Sequence, residues 1–180
     1  MKKNIYIVGV GLIGGSFALE LKDIFKDSNI IGIDTSTQNL NIAKQKNIID
    51  SHAEINDIVN AFMIIIAVPV KAIINILPKI MEFILPETVV IDFGSTKLNI
   101  CKNLQTHKQR SNFLAAHPIA GNEFSGPDAA VKGLVTHKTM IICEKNKTNE
   151  KFVDLAINIF KYLKMKISFM DPEPHDKHIA

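Results

Sequence analysis

The chain reads as an α/β protein with a doubly wound, mostly parallel sheet, and three features predict it. Short β-branched runs alternate with amphipathic segments of helical length along the whole chain, the pattern of βαβ units joined by right-handed crossovers. The strand candidates are apolar at consecutive residues rather than at every second one, as strands covered on both faces require. The first candidate also runs straight into three glycines, Gly9, Gly11 and Gly14, where a helix begins.

In order, Asn4–Val8 is the first buried strand and Leu12–Phe25 a helix with Phe17, Leu21, Ile24 and Phe25 on its apolar face. Ile30–Asp34 is the second strand, and Thr35 or Ser36 caps a helix reaching about Gln45. A polar-flanked helix is expected over Ile55–Asn60. Phe62–Val68 is the most hydrophobic strand; Pro69 breaks it, and a helix over Val70–Phe83 follows. Thr88–Asp92 is a strand ending near Gly94, followed by a helix over Thr96–Leu104. Phe113–Ala116 is a short strand closed by His117-Pro118, since the residue before a proline is pushed toward extended backbone. A short helix near Pro127–Lys132, a strand at Thr139–Cys143, a helix over Asn149–Leu163 and a strand at Lys166–Met170 follow. Asp171-Pro172-Glu173-Pro174 then opens a new helix that the chain leaves after two turns at most.

Composition narrows the class. With 180 residues, 47% hydrophobic and 22% charged, the chain fits one domain that can bury a core without disulfides or a metal. Disorder, collagen and coiled coil are excluded. A net charge of +3 is too small and too scattered to argue for nucleic acid, and the basic stretch Lys102–Arg110 reads as the solvated end of a helix. The two cysteines, Cys101 and Cys143, form no disulfide framework or zinc pattern; Cys143 lies in an apolar run as a small core residue, and a reducing cytoplasm fits. The apolar run at the start is too short for a signal peptide, and Ala61–Val70 covers only about half a membrane span.

Gly9-Val10-Gly11-Leu12-Ile13-Gly14 matches the dinucleotide fingerprint in its required context, directly after a strand and at the head of a helix. Gly9 permits the tight turn, Gly11 lets a pyrophosphate approach the backbone, and Gly14 lets helix and strand pack closely. The amides of Leu12 and Ile13 at the helix start then face the phosphates. Asp34, twenty residues past Gly14, ends the second strand where a carboxylate can hold the adenosine ribose. It would repel a 2′-phosphate by roughly 4 kcal/mol per unit charge at ~4 Å, and no arginine follows to reverse this, so the expected cofactor is NAD in a Rossmann-type sheet. Val68-Pro69 ends a strand that can wall the nicotinamide. A flavin would need more chain, and a methyltransferase would carry an acid where Val8 stands.

Of six histidines, His52, His107 and His137 read as solvated surface. His175 and His178, three apart on the last helix among Asp171, Glu173 and Asp176, read as a solvated helix face rather than a metal pair; no metal site is expected. His117 differs: it ends an apolar strand, small residues Ala120-Gly121 follow, and the carboxyl ends of strands are where open sheets bind ligands. It is a candidate general base, with Gly94-Ser95-Thr96-Lys97 alongside.

The blocks GVGLIGGS at Gly9–Ser16, DFGSTK at Asp92–Lys97, HPIAGNEFSG at His117–Gly126 and DPEPHD at Asp171–Asp176 together resemble the prephenate and arogenate dehydrogenase family, in correct order over the whole chain. The resemblance implies NAD-dependent oxidative decarboxylation of prephenate to 4-hydroxyphenylpyruvate on the route to tyrosine. It implies that His117 is the catalytic group bonding the ring hydroxyl, that Ser95 positions that hydroxyl and the nicotinamide, and that Glu123 belongs to the pocket's polar network. Asn122 stands where some relatives carry Thr.

The family also carries a helical second half that supplies substrate-carboxylate ligands and the homodimer surface. Residues 1–170 are therefore expected to be the nucleotide-binding domain, and 171–180 the start of that half. On that reading the chain binds NAD but has little or no activity alone. Three other readings compete. One is an arogenate dehydrogenase. Another is a β-hydroxyacid dehydrogenase, which shares the Ala67-Val68-Pro69 turn but leaves His117–Gly121 unexplained. The third is a non-catalytic NAD-sensing module.

Overall fold

The computed structural model describes residues 2–179; Met1 and Ala180, the outer ends of the two expected ranges, lie outside the described residues. The elements are β1 (Lys3–Val8), α1 (Leu12–Ile24), β2 (Ser28–Ile33), α2 (Thr37–Gln45), β3 (Ser51–His52), β4 (Ala61–Ile66), α3 (Val70–Phe83), β5 (Val89–Asp92), α4 (Leu98–Asn103), β6 (Phe113–Ile119), β7 (Thr139–Cys143), α5 (Glu150–Tyr162), β8 (Lys166–Met170) and α6 (Pro172–Ile179). They build one eight-stranded sheet in the order β3-β2-β1-β4-β5-β6-β7-β8. Every pair is parallel except β6 with β7. This is the Rossmann-type, doubly wound sheet the sequence predicts.

Alternate residues of each strand enter two separate cores. Ile5, Ile7, Met63, Ile65, Leu114 and Ala116 pack under α1 and α5, with α2 at the edge. Tyr6, Val8, Ile64, Ile66, Phe113 and Ala115 pack under α3 and α4. Phe17 of α1 ties the first core together: its ring lies 4.3 Å from that of Phe93 and edge-on to Phe160 of α5 at 6.5 Å. It is fully buried, which contributes roughly 1.5–3 kcal/mol.

Some local expectations give way to tertiary structure. Over Ile55–Asn60 only a single 3₁₀ turn, Ile55–Asp57, forms. The reciprocal cap between Glu54 and Asp57 opens it, Ile58 is already extended, and Asn60 adopts a left-handed backbone (φ 47) before β4. Likewise, only Pro127–Ala129 of the expected Pro127–Lys132 helix is helical. β6 does not stop at Ala116 but runs through His117 and Pro118 to Ile119, because β7 returns alongside it. β5 is paired only as far as Ala115, so beyond that point β6 has one partner, the edge-like setting in which a strand proline is tolerated. The Lys102–Arg110 stretch is not all solvated surface. α4 ends at Asn103, and Arg110 turns inward to donate to the carbonyl of Phe113 at 2.9 Å and pair with Glu144 at 2.9 Å. Cys101 and Cys143 are both buried, and burial pushes their thiols far above the usual range, Cys143 to about 12. No helix among the described residues is long and apolar enough to cross a membrane.

Candidate active site

The parallel strands bring four chain segments to one edge of the sheet. Val8, Ile66, Asp92 and Ala115 form one row across β1, β4, β5 and β6. Just past that row lie Gly9, then Ala67-Val68-Pro69, then Gly94-Ser95, and His117 two residues beyond Ala115. From β1 to β6 is three strand spacings, roughly 14 Å.

At the β1 end the site is made of backbone. Gly9 has φ +91, and a Cβ there would lie 2.5 Å from the carbonyl oxygen of Ala67. A Cβ on Gly14 would lie 1.9 Å from the carbonyl oxygen of Gly9, so the turn and the helix touch through the missing side chains. Around a Cβ built on Gly11 there is nothing within 4 Å. Gly11 caps α1 without any side-chain bond, so the first amides of the helix, those of Leu12 and Ile13 included, have neither an intrahelical acceptor nor a side-chain cap. The three glycines thus occupy three different steric settings: a tight turn at Gly9, open space at Gly11 and close contact between helix and turn at Gly14.

Asp34 stands at the other wall. Its Oδ2 accepts the amide of Val10 at 3.1 Å and its Oδ1 the amide of Ser36 at 2.9 Å; Ser36, not Asp34, caps α2 by accepting from Asn39. The carboxylate is thereby fixed against the glycine loop with lone pairs remaining for a diol. Gly9, Gly11, Asp34, Val68 and Pro69 line a cavity of about 470 Å³, mostly apolar, to which Asn39, Glu54 and Ile55 also contribute. Leu12, Ile13 and Gly14 form the helical turn behind it. The wall from the Ile55–Asp57 turn was not foreseen, because that segment carries no periodic signal.

At the β6 end the site is made of side chains. His117 is half-buried, and its Nδ1 lies 3.0 Å from Nε2 of His175. His175 in turn lies 2.7 Å from Asp176 Oδ1 through Nδ1. His175 is fully buried, which overturns its reading as part of a solvated helix face. α6 follows β8 directly, and its first turn is pinned by the His175 amide on the carbonyl of Asp171 at 3.0 Å, so the ring is turned in against β6. His52, His137 and His178 are exposed as expected, while half-buried His107 bonds Glu82 at 3.1 Å.

Beneath this pair lies a buried ion pair that sequence reasoning missed. Lys97 and Asp92 both have no exposure, and the Lys97 ammonium bonds Asp92 Oδ2 and the carbonyl of Ala116, the latter at 2.8 Å. Burial pushes the Asp92 carboxyl up, against the pull of Lys97 and the Gly94 amide; its Oδ1 has no partner. The available signal was an acid closing a wholly apolar strand with a lysine five residues on, across one tight turn. For His117, burial first, then the Lys97 charge and His175, lower the pKa to about 4, with Asp176 opposing. The imidazole is therefore uncharged at neutral pH, and its Nε2 makes no hydrogen bond among the described residues.

Ser95 is exposed at the end of β5, the strand next to His117. Glu123 is exposed in the β6–β7 loop on an open depression with Phe124 and Ser125, separate from the glycine-lined cavity. That loop folds back over α1: Val131 donates its amide to Ser16 Oγ at 3.0 Å and Gly133 to Glu20 at 2.6 Å.

Comparison with known proteins agrees with this geometry. The chain is 34% identical over 180 residues to a prephenate dehydrogenase of Bacillus subtilis (strain 168) and 33% identical over 179 to one of Lactococcus lactis subsp. cremoris. Those matches cover 98% and 97% of this chain and 48% of each relative; the chain thus spans about half the length of the curated relatives it matches. Among solved structures, the prephenate dehydrogenase from A. aeolicus in complex with hydroxyphenyl propionate and NAD+ superposes with a TM-score of 0.90 at 28% identity, over 98% of this chain and 62% of that one. The family model described as prephenate dehydrogenase, nucleotide-binding domain, matches residues 17–169. That match starts after the glycine loop, so loop and family point the same way independently. The chain belongs to the prephenate dehydrogenase family and matches its nucleotide-binding domain.

Proposed function

We propose that this chain is the NAD-binding part of an enzyme that oxidatively decarboxylates prephenate to 4-hydroxyphenylpyruvate in tyrosine biosynthesis. The observation that carries the reading is that a glycine-lined cavity and an uncharged histidine share one edge of the sheet. The cavity fits a dinucleotide: open space over Gly11, unpaired amides at Leu12 and Ile13, and Asp34 fixed where it favours a free 2′-hydroxyl over a 2′-phosphate. When bound, NAD supplies the hydride acceptor. Val68 and Pro69 would wall its nicotinamide on the side toward β5.

His117 then acts as base. As the carbon bearing the ring hydroxyl gives up its hydride, His117 Nε2 takes the hydroxyl proton and the C–O bond gains carbonyl character. The ring carboxylate leaves as CO₂, its bonding pair completes the aromatic ring, and the ring oxygen takes the proton back from His117 Nε2 to give the phenol. A positioned base of this kind is typically worth ~10²–10⁴-fold. Ser95, on the neighbouring strand end, holds the hydroxyl in reach, and Glu123, exposed in the β6–β7 loop, would join the polar network of the substrate pocket in the complete enzyme. The same proposal includes a boundary after Met170, pairing of two copies of the whole enzyme, and action in the cytoplasm. α6 is nonetheless fastened to this domain through His175 and Asp176.

The test is an assay of prephenate against arogenate and 3-hydroxyacids with NAD, in the natural full-length polypeptide. Prephenate oxidation is expected, and His117→Asn should lower kcat by at least ~10²-fold with the Kd for NAD nearly unchanged. NAD binding without turnover of any of these substrates would return the chain to a sensing role.

A further inference from the structure

The hydrogen-bond polarity around His117 is fixed by a group that has no freedom to reverse it. Asp176 is an ionised carboxylate. Burial raises its pKa, but the bonds from His175 and from two backbone amides outweigh that and hold it below the usual range. Its Oδ1 accepts the Lys97 amide at 2.6 Å and its Oδ2 the Leu98 amide at 2.9 Å, so the carboxylate is clamped by the start of α4. An ionised carboxylate only accepts. The 2.7 Å contact to His175 Nδ1 therefore requires the proton on that nitrogen. With one proton on the ring, His175 Nε2 is an acceptor, and the 3.0 Å contact to His117 Nδ1 requires the proton to be on His117. The opposite polarity would need a second proton on a ring that has no exposure to solvent.

We infer that Asp176 and His175 are positioning residues that lock His117 in the Nδ1–H tautomer and so leave the Nε2 lone pair free toward the substrate side. The two rings meet edge to face, with centroids 5.2 Å apart and planes at 71°, which fixes the orientation of His117 as well as its tautomer. The row Ala115–Cys143–Met170 shows how the fold achieves this: β7 and β8 end level with the His117 strand, and α6 crosses back from there. The arrangement has a second consequence. When Nε2 of His117 takes a proton, the new cation faces Asp176 through a continuous line of hydrogen bonds. Lys97, whose ammonium bonds the Ala116 carbonyl beside it, disfavours that cation. Asp176 and Lys97 are the charged groups that act on His117 from α6 and from the β5–α4 turn, with His175 between them.

This inference rests on His117 being the base of the proposed reaction, and two measurements separate the two ideas. The first needs no substrate: a long-range ¹H–¹⁵N correlation spectrum of the labelled chain distinguishes a protonated ring nitrogen from a bare one. His117 should show its proton on Nδ1, and His175 should show its proton on Nδ1. A proton on Nε2 of His117 at neutral pH overturns the relay, whatever the enzyme does. The second is kinetic, in the full-length polypeptide. His175→Phe should lower kcat by at least ~10-fold while KM for NAD stays within about 2-fold, because only the orienting bond is lost. His175→Gln, whose amide can donate to Asp176 and accept from His117, should recover much of that loss. Equal kcat for His175→Phe and wild type also overturns the relay. If wild type fails to oxidise prephenate, the functional reading falls, while the spectrum still decides the tautomer.

Discussion

The two ends of the sheet's carboxyl edge are built on opposite principles. The glycine end is a cradle of backbone, shaped by side chains that are missing at Gly9, Gly11 and Gly14, and its glycine loop and carboxylate lie within 26 residues from Gly9 to Asp34. The histidine end is a lattice of buried, charged and polar side chains, Asp92, Lys97, His117, His175 and Asp176, contributed by segments up to 84 residues apart. A cradle of amides is indifferent to most chemistry around it and serves a ligand common to many enzymes. A lattice of paired side chains sets one ring's orientation and charge, which is what a particular reaction needs.

That contrast predicts different failure modes, and the largest lies at the histidine end. Lys97→Met leaves Asp92 buried without its cation, a break that typically costs about 3–5 kcal/mol. In a chain of this size that lowers Tm by roughly 2–4 °C per kcal/mol, so a thermal melt should drop on the order of 10 °C. Adding Asp92→Asn removes the orphaned charge and should recover part of the loss. A Lys97→Met melt within about 2 °C of wild type would mean that the pair is not sealed from water.

At the glycine end, neighbouring positions should separate folding from binding. Gly14→Ala forces a methyl against the carbonyl of Gly9, where there is 1.9 Å of room; overpacking of this kind costs about 1–3 kcal/mol. Gly11→Ala meets nothing within 4 Å and should leave the melt within about 0.5 kcal/mol of wild type. Its methyl instead occupies the space over the helix amides, so NAD should bind at least ~10-fold more weakly by calorimetry. If Gly11→Ala binds NAD normally, the phosphates do not lie over this turn.

The same contrast explains what could be read without coordinates. The strands announced themselves through runs such as Met63-Ile64-Ile65-Ile66, and the cradle through spacing alone, because backbone geometry is encoded locally. The helix expected over Ile55–Asn60 shrinks to one turn because a helix of that length is decided by tertiary packing rather than by its own residues. β6 was cut short because the strand that extends it, β7, comes some twenty residues later. Lys97 and His175 escaped for a related reason. A lysine or histidine among polar neighbours is solvated by default; Lys97 is buried by reaching back to Asp92 and the Ala116 carbonyl, and His175 by α6 turning it in against His117. Local pattern carries no trace of a partner 58 residues away.

The smallest effect tests the lattice through pH. The folded pKa of His117, about 4, lies below its unfolded value of 6.5, so the unfolded chain binds the proton first. Stability from this group is therefore complete above pH 6.5 and is lost as pH falls toward 4. The carboxylates held low, Asp50, Glu82, Glu144 and Asp176, lose their contributions only as pH falls through and below unfolded values of 3.8 and 4.5, while Asp92, held high by burial, acts with the opposite sign, so the imidazole is read from the difference between wild type and His117→Asn. His117 retains some contact with water, so its share stays below the ~1.4 kcal/mol per pH unit of a sealed group. Wild type should lose a few degrees of Tm between pH 7 and 5, and His117→Asn should lose less. Backbone amides do not titrate, so Gly11→Ala should keep the wild-type slope. Parallel slopes for wild type and His117→Asn would place the imidazole in ordinary water, and the lattice would then hold the ring without setting its charge.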